Sequence, residues 1–339
     1  MNPFSEPIAR ASLAVRGTVV VRKYGRDRER LPVRVDHSRR AFQRVWEHHQ
    51  HNLITNAGMD YAVGNNASGF AWPQLAQWIA VGTSSAAPAV TDTALGSEIA
   101  RSNATLSLGT AGLGSHPSTG VQEYVRTRAF DFGEANGNLT EFGGFIASTG
   151  GNALVRELFR DELGDPTVIT KTSDEQLAVI HTVSLAFAPT SMTAGDPITV
   201  TGYGAFDASH MFYQAFRGST YFIGDQSGLG LVPVASLGDT YAVDSPATFP
   251  TNISVGGSNP PTGSAFVAYT GGTFYRDVTS DYTGTPADEN VVGWAFARAS
   301  TVLAARYVVC GWRFDDPSVL VKGKDYRLRA TARFQFARA

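Results

Sequence analysis

Four histidines crowd one short stretch of the chain: His37, His48, His49 and His51. Two or three imidazoles joined by a further ligand would hold Zn²⁺ or Ni²⁺. The simpler reading is a polar helix end running into a strand; in a trimer such residues would meet on the axis. Adjacent acids occur at Asp161-Glu162, Asp288-Glu289 and Asp315-Asp316. Glycoside hydrolysis needs two carboxyls about 5–9.5 Å apart across the sugar, and adjacency in sequence does not establish that. Asp315 and Asp316 precede Pro317, where a carboxylate capping turn amides is the ordinary role. Asp277, Asp281, Asp288 and Glu289 have oxygen ligands to offer Ca²⁺ but lack EF-hand spacing, and read as a solvated loop. There is no Gly-x-Ser-x-Gly elbow and no Gly-x-x-x-x-Gly-Lys-Ser/Thr phosphate loop. No catalytic residue, cofactor site or metal site is expected.

Charge is uneven near the start. Residues 10–44 carry Arg10, Arg16, Arg22, Lys23, Arg26, Arg28, Arg30, Arg34, Arg39, Arg40 and Arg44 against Asp27, Glu29 and Asp36. Arginines at strand positions would meet phosphates or fork onto the carboxylates of a partner protein. Only Tyr24 interleaves them as a stacking aromatic, so a protein partner is favoured over nucleic acid. Arg16, Arg22, Arg26, Arg28, Arg30, Arg34, Arg39 and Arg40 are the candidate interface residues. Phe206, His210, Phe212, Tyr213, Phe216, Tyr221 and Phe222 form an aromatic-rich run that offers sugar-stacking faces or, more ordinarily in a β-domain, core.

The elements that must position these residues follow from composition. The chain has 339 residues, 35 Gly, 16 Pro and a net charge of −2, with 43% hydrophobic and 17% charged residues. Gly, Pro, Ser and Thr in this abundance favour strands and turns. A single cysteine, Cys310, rules out an intrachain disulfide and fits assembly in a reducing cytoplasm. No apolar run approaches the ~18 residues of a membrane span, and Met1–Pro7 lacks a signal-peptide pattern.

Residues 12–22 read as a strand and Leu31–Val35 as its short return. Residues 36–50 read as a helix, with Phe42, Val45 and Trp46 at helical spacing. Leu53–Gly58 reads as strand and turn, Trp72–Ala76 as a short helix, and Trp78–Thr83 as an apolar strand. Val125–Phe132 alternates with period two. Asn136-Gly137 signals a two-residue hairpin, and Gly150-Gly151 a second reversal. Leu177–Phe187 is a strand whose apolar positions imply a bulge or burial on both faces.

Asp165–Leu177 and Asp316–Leu328 share Asp, Pro, Val, Lys, Asp and Leu without a gap, each leading into an alternating strand. This gives a mainly β fold of two tandem β-sandwich-like domains, an internal duplication, behind a basic N-terminal arm. The arm with its strand pair spans 1–44, the first domain 45–190 and the second 191–339. A competing layout makes the second half an insertion whose last strands return to the first domain.

One ordered series remains: Thr55-Asn56-Ala57-Gly58; Val81-Gly82-Thr83; Asp92-Thr93-Ala94-Leu95-Gly96-Ser97-Glu98-Ile99-Ala100-Arg101; Thr140-Glu141-Phe142-Gly143-Gly144-Phe145; Leu154-Val155-Arg156; and Lys171. Degenerate at each step but specific in order over residues 52–188, it resembles bacteriophage tail-collar fibre and related tail structural proteins. The second half lacks the series. The resemblance implies a non-enzymatic virion component of the tail, collar or fibre, made in the host cytoplasm, forming a symmetric homo-oligomer and docking on other virion proteins. Glu98 with Arg101, and Glu141 with Arg156, are expected as ion pairs that fix register, between subunits if buried. A glycan-binding host-adsorption module using residues 206–222 and 277–289, or a polysaccharide depolymerase using Asp315 and Asp316, are the alternatives.

Overall fold

The computed structural model describes residues 8–25, 43–64, 71–105, 112–116, 121–188, 193–194, 198–200, 204–212, 231–237, 263–282, 289–299, 306–315, 321–322 and 328–339. β1 (Ile8–Gly25) organises it. Val15, Gly17, Val19 and Val21 are buried along one face while Arg16 is exposed on the other, as expected of a strand with one side on a core. At about 3.3 Å per residue, this 18-residue strand is long enough for two neighbours to share one edge. β2 (Gln43–Ile54) pairs antiparallel with Gly17–Gly25, and β22 (Leu328–Arg338) runs parallel to Ile8–Val15. The other edge is taken by β11 (Glu175–Ala188), in one continuous antiparallel register.

Beyond β2 the sheet continues through β9 (Val155–Leu158), β8 (Glu141–Phe145), β3 (Trp78–Gly82) and β4 (Glu98–Ser102). Beyond β11 it continues through β6 (Val121–Phe130) and β5 (Gly112–His116). The two arms approach each other: Ser102 Oγ donates to the Ala129 carbonyl at 2.6 Å, and the Ala129 amide to the Ala104 carbonyl at 2.9 Å. The sheet is therefore nearly closed. It wraps a core in which Val19, Trp72, Phe142, Phe159 and Val179 are fully buried, with Ala80, Leu95, Phe145 and Ala153 in a smaller separate cluster.

β17 (Gly263–Phe266) and β18 (Tyr275–Tyr282) add to β22, completing a 12-stranded sheet. β7 (Gly137–Leu139) pairs β10 (Ile169–Lys171). A second, 6-stranded sheet contains β12 (Thr193–Ala194), β15 (Ala208–Phe212), β16 (Leu231–Leu237), β19 (Glu289–Ala299), β20 (Arg306–Phe314) and β21 (Val321–Lys322). β13 (Ile198–Val200) and β14 (Gly204–Phe206) form a separate pair.

The fold is mainly β, but its partition differs from the sequence reading. β17, β18 and β22 lie in the same sheet as strands from residues 8–188, while β19, β20 and β21 lie in the second sheet, the arrangement in which the last strands return to the first domain. Two tandem domains and a duplication are not established by it. The repeat does keep its local shape: short β10 then long β11, short β21 then long β22. Residues 8–25 of the basic arm form a strand, as read, and belong to the sheet, because Val15, Val19 and Val21 are core residues and burial fixes the strand. Arg22 lies in β1 opposite Glu47 and Ala178. The return strand 31–35 and Arg26, Arg28, Arg30, Arg34, Arg39 and Arg40 lie outside the described residues.

Two local expectations are corrected. The helix read over 36–50 is, from Gln43 on, strand β2. Its alternation was hidden because the inward positions near its end are polar: Asn52 is buried and Gln50 half-buried, while His49 and His51 are exposed. Asn136-Gly137 does not close a hairpin, since β7 pairs β10 and not β6. The chain turns earlier, with positive φ at Gly133 (81°) and Ala135 (49°). β11 runs in register without a bulge, and the expected two-sided burial holds at its start, where Gln176, Leu177, Ala178 and Val179 are all buried; beyond Ile180 the strand alternates, with His181, Val183 and Leu185 facing the core and Thr182 half-buried. By contrast, Gly150 and Gly151 do reverse the chain between β8 and β9, with φ of 61° and 75°, a region glycine enters without steric cost. No helix among the described residues is long and apolar enough to cross a membrane.

Candidate functional site

The residues of the ordered series are spent on contacts with one another and with nearby backbone. Thr55 follows β2 and caps α1 (Asn56–Gly64): its Oγ1 accepts the Gly58 amide at 3.0 Å and donates to the Ala153 carbonyl at 2.7 Å. Such a cap satisfies one of the orphan donors of a helix N-terminus. This helix was missed in the sequence, although Met59, Ala62 and Val63 carry the helical spacing and are buried. The Trp72–Ala76 expectation is met by a short 3-10 turn, η1 (Trp72–Gln74).

Glu141 is the centre of the network. It is fully buried on β8, and Arg156, on β9, is 4% exposed. Arg156 Nε and Nη2 donate to Glu141 Oε2 at 3.1 and 3.0 Å. The same carboxylate accepts three backbone amides, Ser97 at 2.8 Å, Gly96 at 3.1 Å and Ser84 at 3.3 Å. Arg156 also donates to Asp92 Oδ2 and to the Ala86 carbonyl. Burial pushes the Asp92 carboxyl up, but the Ala89 amide and Arg156 outweigh it and hold it below the usual carboxylate range. This cross-strand pair thus straps the long segment between β3 and β4 onto the sheet. It is buried within one chain, where the sequence reading placed such burial between subunits.

Arg101 makes a second clamp. It forks onto Glu98 at 2.9 and 2.7 Å, donates to the carbonyls of Ala147 and Gly150 at 2.9 and 2.8 Å, and lies 3.6 Å from the Phe145 ring centroid. Residues i and i+3 of a regular strand face opposite ways. Here Val81 faces Ala100 and Gly82 faces Glu98, so Ile99 is an extra bulged residue, and the bulge re-aims Glu98 toward Arg101. Lys171, 1% exposed, directs Nζ at the Asp131 carbonyl (3.1 Å) and Asn136 Oδ1 (3.3 Å). Burial lowers its pKa, and it ties down the turn that the Asn-Gly signal misplaced.

The other sequence candidates do not gather. Asp161 Oδ1 accepts the amides of Leu163 and Asp165, at 2.9 and 3.0 Å, the turn-capping role of an aspartate. Asp277 belongs to a strand, not a loop, and pairs Arg333 at 2.8 Å. Among the described residues no three His, Cys, Asp or Glu side chains group as metal ligands. His37, Asp288, Asp316 and residues 213–222 lie outside the described residues.

His181 was no candidate, yet it is the buried titratable group with the clearest consequence. It sits in β11 between Val19 of β1 and Arg126 of β6, 2% exposed, with Nε2 lacking a hydrogen-bond partner among the described residues. Burial first, then the Arg126 charge, lowers its pKa from 6.5 to about 4. Between those values the unfolded chain binds a proton that the folded chain does not, so stability falls as pH falls. Taking the sample from about pH 7 to about pH 5 is expected to cost about 2 kcal/mol through this residue. Urea unfolding of wild type and His181→Leu across that range checks it; parallel pH slopes would assign the loss to other groups.

Beside the network opens a cleft of about 660 Å³. The face of α1 that carries Asn56, Asp60 and Tyr61 forms one wall, and Val90–Thr93 another; Asn152 and Tyr269 complete it. Asp60 Oδ1 accepts the Tyr269 hydroxyl at 2.5 Å and the Gly272 amide at 2.7 Å. The Tyr269 ring packs on Gly64, where a Cβ would come within 2.3 Å of it.

Fold and site together define a mainly β protein with one nearly closed sheet, whose buried charges fasten loops and turns beside an open cleft. No family model matches the chain, and neither a curated protein nor a solved structure is found similar to it.

Proposed function

We propose that this chain is a non-enzymatic structural component of a bacteriophage virion, in the tail, collar or fibre, that assembles as a symmetric homo-oligomer and docks on neighbouring virion proteins. The observation that supports this reading is how the series resembling tail proteins is used. Thr55, Asp92, Arg101, Glu141, Arg156 and Lys171 all hold backbone turns, caps or loops in place. Charges spent this way give a rigid block and do no acid–base work. Closed symmetry then reuses one surface around an axis. Arg16, exposed on β1, and Leu163, 87% exposed at a hairpin tip, are available for such contacts.

Light scattering on the purified chain tests the assembly. The expected result is one species whose mass is a whole multiple of 36.2 kDa, together with labelling of phage particles by an antibody to the chain. A monomer at every concentration, with unlabelled particles, would overturn the reading.

A further inference from the structure

We propose that the cleft between α1 and the Val90–Thr93 turn binds a neutral, hydroxyl-rich ligand, either a saccharide unit or a free polyol. The assignment stands on the cleft alone and does not depend on the virion reading. Its volume, about 660 Å³, lies within the range of small-molecule sites.

The chemistry follows from how the polar groups are committed. Asp60 gives Oδ1 to Tyr269 and Gly272, and Asp92 gives Oδ2 to Arg156 and the Ala89 amide. Each carboxylate is fixed by one oxygen, which leaves Asp60 Oδ2 and Asp92 Oδ1 without a hydrogen-bond donor among the described residues. Asn56 gives its amide oxygen to Arg338 at 2.6 Å, so its NH₂ is left as a donor. The cleft thus offers charged acceptors and an amide donor together. A hydroxyl is the neutral group that donates to the first and accepts from the second.

Net charge selects among ligands. Arg156 stands behind Asp92, and Arg338 feels the Asp60 charge. Two acids backed by two bases leave little field to draw in a cation, and the acids at the wall oppose an anion. Tyr61 and Tyr269 supply ring surface of the kind that packs on apolar sugar faces.

The test uses the full chain against an array of neutral glucose, galactose, mannose and N-acetylglucosamine oligosaccharides. Glycerol and ribitol are tested by saturation-transfer NMR, with inorganic phosphate and putrescine as charged probes. At least one neutral probe is expected to bind. Asn152→Trp, which fills the rim from an exposed position, and Asp60→Asn should each weaken binding at least ~tenfold, the scale of one charge-assisted hydrogen bond. Val168→Ser, at an exposed position outside the cleft lining, should leave binding unchanged. Array hits identify a saccharide, and ribitol or glycerol signals alone identify a polyol. The proposal is overturned if no neutral probe binds, if Asn152→Trp binds as well as wild type, or if phosphate or putrescine is preferred.

Discussion

Arg156→Met is expected to lower folding stability by about 3–5 kcal/mol, the range seen when one partner of a buried ion pair is removed. The cost arises mainly from what is left behind. Glu141, fully buried, would be left with only backbone amides as partners, and Asp92 would lose the guanidinium that anchors the segment between β3 and β4. Glu141→Gln combined with Arg156→Met should recover part of the loss, because the fully buried charge at 141 is then gone and only the partly exposed Asp92 stays without its partner. Urea unfolding of the two variants beside wild type measures both quantities. A single-variant loss below about 1 kcal/mol, the usual worth of a surface pair, would show that the network is not holding that segment.

Gly58→Ala is expected to destabilise by about 2–3 kcal/mol, the upper part of the usual overpacking range, although alanine is the better helix former by about 1 kcal/mol. A Cβ at Gly58 would lie 2.0 Å from the Leu154 carbonyl oxygen. That oxygen is backbone and cannot swing aside. It also accepts the Thr55 amide at 3.1 Å, so moving it disturbs the helix cap and the entry to β9 together. Ala57→Ser, one residue earlier on the cleft face, serves as the control. Thermal unfolding should separate the two variants, and a Gly58→Ala protein as stable as wild type would contradict the close helix-to-strand contact.

The sequence legibly marked the β class, the strands β3, β6 and β11 and both ion pairs. Each rests on a local property: period-two alternation, turn residues, or opposite charges in a short series. Glu98 with Arg101 was found for an incomplete reason, since three-residue spacing brings side chains together in a strand only where a bulge intervenes, and that bulge is a property of the pairing with β3. β2 was misread because Gln50 and Asn52 occupy inward positions where an apolar pattern would be sought. The α1 signal was present in Met59, Ala62 and Val63 but lay behind a Thr-Asn-x-Gly start that resembles a turn.

The sequence by itself determined which segments extend, where the chain reverses at Gly150-Gly151, and which acids and bases were available to pair. Only the tertiary structure decided that β1 is shared by β2, β11 and β22, that β4 nearly meets β6, and that Asp60 and Asp92 line one cleft. The physical reason is range. Alternation and turn chemistry act over a few residues, whereas the choice of strand neighbours is made between segments as much as three hundred residues apart, by which edges and apolar faces remain uncovered once the local elements exist.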